Sequence, residues 1–342
     1  MGNKDFLLEN IGSYISLNGE IISAPYYADD ALDEYYWNNG VAYEVIRIVQ
    51  GVPMFIEDHI SRLNESLSKL KARTEIGISE LLSPMNALLY ANETTDCNVK
   101  ICAATDAFGG INYFMNINKF FYPPPEYYRN GVPVGLYAHT RENPNVKQVV
   151  AGFKEKIQAL IDSGGVFELL LYDGTNQLTE GSRSNVFFTR GYQLFTAPDR
   201  MILKGTIRKY VFLAAQRAGI EIIERPVTLE EFGLSPGSLD RRRVHGKTDS
   251  DRTKPDNHKI RHFIHRKNLV FPKFGPGQDI GPSSALPVLT VNGAFLTGTS
   301  IGVLPISRIG GVKLNSVRDK VIRAIMEKYK SIEREYINAR LE

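Results

Sequence analysis

ELLLYDGTNQLTEGSRSNVFF, residues 168–188, is the stretch on which the fold turns. FELLLYD (167–173) is a short apolar run stopped by Gly174, the pattern of a buried strand. The following QLTEGSRSNVFFT (177–189) reads as a strand pair with a kink at Gly181, where small polar residues interrupt the apolar pattern. Glu180 stands inside that pair. As an edge residue it would simply face water. Held against a cation, such as a protonated ring nitrogen, its carboxylate would have a chemical use.

Moving towards the C-terminus, TIRKYVFLAAQRAG (206–219) is a helix with Gly205 before it and Gly219 at its end. A helix start offers free backbone N–H groups and the positive end of the dipole, which suits a phosphate. Thr206 would add a hydroxyl, although the same sequence would serve as an ordinary helix cap. IEIIERPV (220–227) is a strand and LEEF (229–232) a helical turn. AFLTGTS (294–300) and IGVLPI (301–306) return to strand chemistry, and TGTS (297–300) is either a second anion-binding turn or a plain one. The chain closes on an amphipathic helix with Val317, Val321, Ile322, Ile325, Met326 and Tyr329 on one face.

Towards the N-terminus, GVPVGLYAH (131–139) is a strand, followed by a helix over 149–163 that Gly164-Gly165 closes. VAYEVIRIV (41–49) and VPMFI (52–56) form a hairpin about Gln50-Gly51. A helix follows, marked by Ile60, Leu63, Leu67 and Leu70. VKICAAT (99–105) and INYFMNI (111–117) pair through Gly109-Gly110. PPPE (123–126) breaks the pattern, and a domain boundary is expected near residue 125.

The chain has 342 residues, 43% hydrophobic and 23% charged. That is an ordinary globular composition, which excludes a wholly disordered chain, a collagen and a coiled-coil rod. No apolar run is long enough for a membrane span, and the first residues lack a secretory signal pattern. Two cysteines, Cys97 and Cys102, make no disulfide framework, so a reducing cytoplasm is expected. The net charge of +3 conceals an asymmetry: residues 240–273 hold eleven Lys or Arg and four Asp. A Walker loop, G-x-G-x-x-G, H-E-x-x-H and G-x-S-x-G are all missing, so serine-triad acyl transfer and dinucleotide binding have no support.

Five segments, in this order, resemble the fold-type IV pyridoxal phosphate enzymes. They are YEVIRIVQGVPMFIEDHISRL (43–63), ENPNVK (142–147), ELLLYDGTNQLTEGSRSNVFF (168–188), ILKGTIR (202–208) and FLTGTSIGVLPI (295–306). That family includes the branched-chain and D-amino acid aminotransferases and aminodeoxychorismate lyase. The resemblance runs over roughly 34–232 and 293–338. It implies an α/β fold of the α+β type, in two domains with the cofactor site between them. The smaller would span 1–125 and the larger 126–342, with an atypical basic insertion at about 233–292.

The resemblance also implies roles. Lys147 matches the lysine that bonds covalently to pyridoxal 5'-phosphate. Glu180, 33 residues on, matches the carboxylate at the pyridine nitrogen, where it keeps the ring an electron sink. Arg62, in an H-x-x-R-L pattern, matches the arginine on the cofactor phosphate. Thr206 and Ile207 match the helix-start phosphate site, and Thr299 and Ser300 the second phosphate contact. The lysine amine must be free to lose a proton, so a nearby cation and partial burial should lower its proton affinity.

Three departures stand out. After Gly205 the order is Thr206-Ile207-Arg208, where the family has Ile-Thr-Arg. Gly152 and Phe153 occupy the region where branched-chain members carry a tyrosine. INYFMNINK (111–119) lacks the arginine with which D-amino acid enzymes grip the substrate carboxylate. Tyr43, Arg47 and Lys119 are the candidates for that grip, with Arg141 and Arg183 behind them.

The reading is an aminotransferase moving an amino group between an amino acid and a 2-oxo acid, with a branched-chain-like substrate among the options. A homodimer is expected; no metal site, membrane or nucleic-acid partner is. A lyase resembling aminodeoxychorismate lyase is the alternative, and polyanion binding through the basic insertion a second one. For the insertion itself four readings stand. It is a surface excursion, a tether for an acidic partner through RRR (241–243), a metal site at His258, His262 and His265, or a product of a shifted reading frame.

Overall fold

The computed structural model describes residues 9–24, 40–106, 108–150, 152–234, 269–270 and 291–341. Most of the basic insertion, with RRR (241–243) and the three histidines, therefore lies outside the described residues.

The N-terminal half builds one sheet from β1 (Asn10–Leu17), β2 (Glu20–Ser23), β3 (Val41–Val49), β4 (Val52–Pro53), β5 (Cys97–Thr105) and β6 (Ile111–Asn118). Its order is β2-β1-β6-β5-β3-β4. Along β3 the side chains alternate: Ala42, Glu44, Ile46 and Ile48 are buried, while Tyr43, Val45 and Arg47 are half-buried. The fully buried face packs beneath α1 (Ile56–Lys69) and α2 (Ile78–Ala91), through Ile60, Leu63 and Leu67 of the first and Leu81, Met85 and Leu88 of the second. Period 2 in the strand meets periods 3 and 4 in the helix, which is how one apolar core closes.

Two features differ from the sequence reading. VPMFI is a strand only at Val52–Pro53, because Phe55 adopts a left-handed conformation (φ 55°) and the chain turns straight into α1. The hairpin β1–β2 and helix α2 went unread. β1 alternates weakly, with six of its eight residues, Asn10 to Tyr14 and Leu17, exposed or half-exposed, and α2 carries Pro84 inside it.

The C-terminal half runs α3 (Pro125–Asn130), β7 (Val132–Ala138), α4 (Phe153–Gly164), β8 (Glu168–Tyr172), β9 (Gln177–Gly181), β10 (Asn185–Arg190), β11 (Gln193–Thr196), α5 (Thr206–Ala218), β12 (Glu221–Glu224) and β13 (Val227–Thr228). After β14 (Leu269–Val270) come β15 (Gly293–Gly298), β16 (Gly302–Ile309), β17 (Val312–Lys313) and α6 (Lys320–Leu341). They form an eleven-stranded sheet whose main path is β12-β11-β10-β15-β16-β7-β8-β9-β13. β14 pairs with β7 and β17 with β16. Helices α5 and α6 cover Phe187 and Phe295 with Val211, Ala215, Ile322 and Ile325.

The two halves are joined at the start of α1. Phe55 is fully buried and stacks on Tyr210 of α5 at 3.6 Å between ring centres, with Tyr336 of α6 edge-on at 4.7 Å. Asp58 accepts from Lys209 at 2.5 Å and from the Tyr210 hydroxyl at 2.7 Å. The start of α1 is thus held against α5 and α6.

Candidate active site

Lys147 lies against the edge of β3. Tyr43 donates its N–H to the Lys147 carbonyl at 3.0 Å, Val149 donates to Val41 at 3.0 Å, and Ala42 and Gln148 form an isolated bridge. From the other side, the Ser66 hydroxyl of α1 accepts the Lys147 N–H at 3.2 Å and donates to the Arg62 carbonyl at 2.9 Å. Strand edge and helix together fix the backbone, and only the long side chain remains to be placed.

That side chain runs into a buried charge cluster. Lys147 Nζ is 3.3 Å from Glu44 Oε2 and 5.2 Å from the centre of the Tyr43 ring. Glu44 is the hub. Arg62 forks onto it, Nε to Oε1 and Nη2 to Oε2, both at 2.7 Å, and His59 Nδ1 is 2.8 Å from Oε2. Bidentate Arg–carboxylate pairs of this kind are the strong ones. Burial alone would raise the Glu44 carboxyl, but Arg62, Lys147 and His59 outweigh it and hold it well below the usual range. Burial, with the Arg62 and Arg141 charges, brings the Lys147 amine down to about 8 despite Glu44. The amine is thus close to releasing its proton near neutral pH.

Glu180 is the penultimate residue of β9 and is 2% exposed. Leu203 donates its N–H to Oε2 at 3.1 Å, and Oε1 is 2.7 Å from Arg141 Nε. The approach of that ion pair is off-axis: among the described residues neither Oε1 nor Arg141 Nε finds a partner in hydrogen-bond geometry. Burial pushes the Glu180 carboxyl up to about 7, against the pull of Arg141. The Asn185 amide donates to the Leu203 carbonyl at 2.8 Å and lies 3.4 Å from Glu180, which ties β10 to the segment leading into α5.

α5 opens at Gly205 with no acidic residue in its first turn. Its leading N–H groups have no partner within the helix, and its dipole is not offset there. Arg62 Nη1 donates to the Lys204 carbonyl at 2.9 Å, just before that start. Thr206 is buried, its hydroxyl 3.5 Å from His59 Nδ1, and Ile207 turns into the core. Ser300, in the turn between β15 and β16, accepts from the Asn98 amide of β5 at 2.7 Å. Thr299 is half-buried in the same turn.

The sequence-derived set is therefore partly assembled. Lys147, Tyr43 and Arg62 share the Glu44 cluster, and Arg62 reaches the start of α5. Arg47 is committed elsewhere: it faces Glu333 of α6 at 3.6 Å and lies 5.0 Å over the Tyr122 ring. Lys119 is exposed beyond β6. Arg183 reaches Gln158 on the surface. Three participants escaped the sequence reading, and Arg141 stood there only as a weaker candidate for the substrate carboxylate. Glu44 was hidden in a strand pattern and His59 in a helix pattern. Lys100 of β5 lies 5.8 Å from the Tyr43 ring, on the face that pairing in the sheet assigns to Tyr43, and it is paired to Glu9 at 2.8 Å. Of these, only Glu44 and His59 carry a local signal, as polar residues on an otherwise apolar face.

The profile of the amino-transferase class IV family matches residues 41–234. The chain is 25% identical over 229 residues to a D-alanine aminotransferase of Bacillus licheniformis, covering 64% of this chain and 80% of that one. It is 26% identical over 235 residues to a putative branched-chain-amino-acid aminotransferase of Methanocaldococcus jannaschii, with the same coverage. A solved branched-chain amino acid aminotransferase from Thermobaculum terrenum superimposes with a TM-score of 0.66 at 19% identity, over 95% of this chain and 94% of that one. That from Escherichia coli gives 0.64 at 16%, over 92% of each. The charge cluster on β3, α1 and Lys147, the Glu180 kink and the α5 start all fall within the matched span, and the chain belongs to the class IV aminotransferases, enzymes that work with pyridoxal 5'-phosphate.

Proposed function

We propose that Lys147, Glu180, Arg62 and the start of α5 hold pyridoxal 5'-phosphate, and that Lys147 moves the proton in amino-group transfer. The carrying observation is the largely covered Lys147 amine, 3.3 Å from Glu44 of the Glu44–Arg62 pair and brought down to about 8. The residues suit the group on chemical grounds. Glu180 presents a buried oxygen without an aligned donor, as an acceptor for a ring N–H requires. α5 presents free N–H groups with no competing acid, and Arg62 spends three of its five N–H donors on Glu44 and Lys204. Thr206, Ile207, Thr299 and Ser300 complete the phosphate side in this reading.

The cofactor supplies a reactive carbonyl and a ring that accepts electrons from the substrate's α-carbon. Lys147 Nζ would provide the attachment point and, once freed by the substrate amine, would act as the base that takes the substrate's α-proton. Glu44 sets where that amine rests between turnovers. Glu180 holds a proton on the ring nitrogen. Tyr43 faces the substrate carboxylate, with Lys100 beside it although paired to Glu9, while Arg47 is paired to Glu333 and Lys119 is exposed.

The donor is an amino acid and the acceptor a 2-oxo acid. A branched-chain amino acid and D-alanine, the substrates named for its relatives, are the first donors to examine. Further parts of this reading are a homodimer, a cytoplasmic location supported by the free, buried Cys97 and Cys102, and a division near residue 125. No helix among the described residues is long and apolar enough to cross a membrane.

The test is the absorption spectrum of the purified protein beside Lys147→Ala, before and after borohydride. A yellow wild type that borohydride traps covalently, with an untrapped variant, is the expected result. The rate of attachment should rise with pH through about 8, as the amine loses its proton. A wild type that takes up no cofactor would overturn the reading. Stoichiometric consumption of a 2-oxo acid separates transfer from lyase chemistry.

A further inference from the structure

Glu168 is the first residue of β8 and is 3% exposed, an acid at the head of an apolar strand. It is not in the charge cluster around Lys147. Its carboxylate instead sits inside the turn between β9 and β10. The Arg183 N–H donates to Oε1 at 2.6 Å, the Ser182 hydroxyl to Oε1 at 3.3 Å, and the Ser184 hydroxyl to Oε2 at 2.9 Å. The turn is closed by Gly181 N–H to the Ser184 carbonyl at 2.8 Å, and Ser182 N–H donates to Leu169 of β8 at 2.8 Å. The wrapping is close. A Cβ on Gly181 would stand 2.6 Å from Glu168 Oε1 and would collide with the Ser184 hydroxyl.

Gly181 is the residue immediately after Glu180, and Asn185, immediately after the turn, is the side chain that approaches Glu180 from β10. Both flanks of the turn that Glu168 organises therefore touch the carboxylate placed at the ring nitrogen. A buried acid satisfied by three donors is costly to disturb, since two of those donors, the Ser182 and Ser184 hydroxyls, are themselves buried. Burial raises the Glu168 carboxyl, the Arg183 charge and the donated bonds pull it back, and its charge also raises that of Glu180.

We propose that Glu168 is a positioning residue: the 181–184 turn folds around its carboxylate, and that turn fixes Glu180 where the cofactor's ring nitrogen is held. This rests on the proposed role of Glu180.

Glu168→Gln keeps the shape but points an amide N–H group at hydrogen-bond donors. The test reconstitutes wild type and variant with cofactor labelled at the ring nitrogen and compares its NMR shift, which reports protonation of that atom, together with the cofactor dissociation constant. The expected result is a shift towards the unprotonated nitrogen and binding weakened on the order of tenfold, about 1.4 kcal/mol. A variant with a lowered melting temperature but the wild-type nitrogen shift and dissociation constant would overturn the proposal and leave Glu168 a purely structural acid. Where Glu168→Gln fails to fold, Ser184→Ala, which removes one donor and buries no new charge, carries the same comparison. It is expected to move both readouts in the same direction by less, and unchanged readouts overturn the proposal. A wild type that binds no cofactor overturns the functional reading and this inference together, whereas a binding wild type with an indistinguishable variant overturns this inference alone.

Discussion

At the scale of single residues, Glu44 does more electrostatic work than its place in a strand suggests. It holds Arg62, His59 and Lys147 at once, inside the protein. Removing it would leave Arg62 and Lys147 buried without their shared counter-ion, which costs about 3–5 kcal/mol for a broken buried pair. The pH dependence has a definite sign. The folded carboxyl lies well below its ordinary value of 4.5. Its stabilisation is therefore complete above about 4.5 and is lost as the pH falls through the lower folded value. Denaturant unfolding of wild type and Glu44→Gln at neutral pH should show a gap that narrows on acidification. A gap unchanged into the acid limb would mean that Glu44 is not held ionised by its neighbours. The functional residues were unevenly legible at this scale. Lys147 and Glu180 came from the family resemblance, whereas Lys100, and the pairing of Arg141 with Glu180, became visible only through neighbours distant in sequence.

At the scale of elements, the start of α5 is shaped by what lies against it. Gly205 has an ordinary φ of −67°, so an alanine there is unstrained in the backbone. Its Cβ would nevertheless run into Asn185 Oδ1. Asn185 cannot retreat freely, because its amide is bonded to Leu203 and lies against Glu180. Gly205→Ala should therefore move Asn185 or the helix start, weakening cofactor binding by about tenfold, or about 1.4 kcal/mol, with little change in melting temperature. Equilibrium dialysis with cofactor, beside a thermal melt, checks both parts. Equal binding would show that the helix start has room to spare. The exchange of Thr206 and Ile207 relative to the family order has a simple outcome here. The threonine hydroxyl faces His59 and the isoleucine enters the core beside Val211.

At the scale of the molecule, the candidate site depends on two sheets meeting, and Phe55 is where they meet. It is fully buried between α1, α5 and α6, and its left-handed backbone turns the chain from β4 into α1. Phe55→Ala should cost about 3–5 kcal/mol as a large-to-small core change. It should also weaken cofactor binding, because Arg62 reaches Lys204 from the same helix. Calorimetry with and without cofactor checks this: a melting temperature within a degree or two of wild type would show that the joint is not where the halves are held.

The sequence by itself determined the family and, apart from α2, α3 and β11, the strand and helix pattern from β3 to α5. Alternation, helical spacing and Gly punctuation are local, and five ordered segments carry a pairing of sheets that no single one specifies. It also determined that Lys147, Glu180 and Arg62 were the residues to examine. It left β1, β2 and α2 unread, because weak alternation and an internal proline blur their periods. Only the tertiary structure decided that Arg47 belongs to Glu333, that Lys100 lies beside Tyr43, and that Arg141 meets Glu180. It also decided that Glu44 gathers three cations or potential cations about one carboxylate. The reason is physical. A side chain's charge state and partner depend on burial and on groups brought near by sheet pairing and helix docking, and neither is a function of distance along the chain.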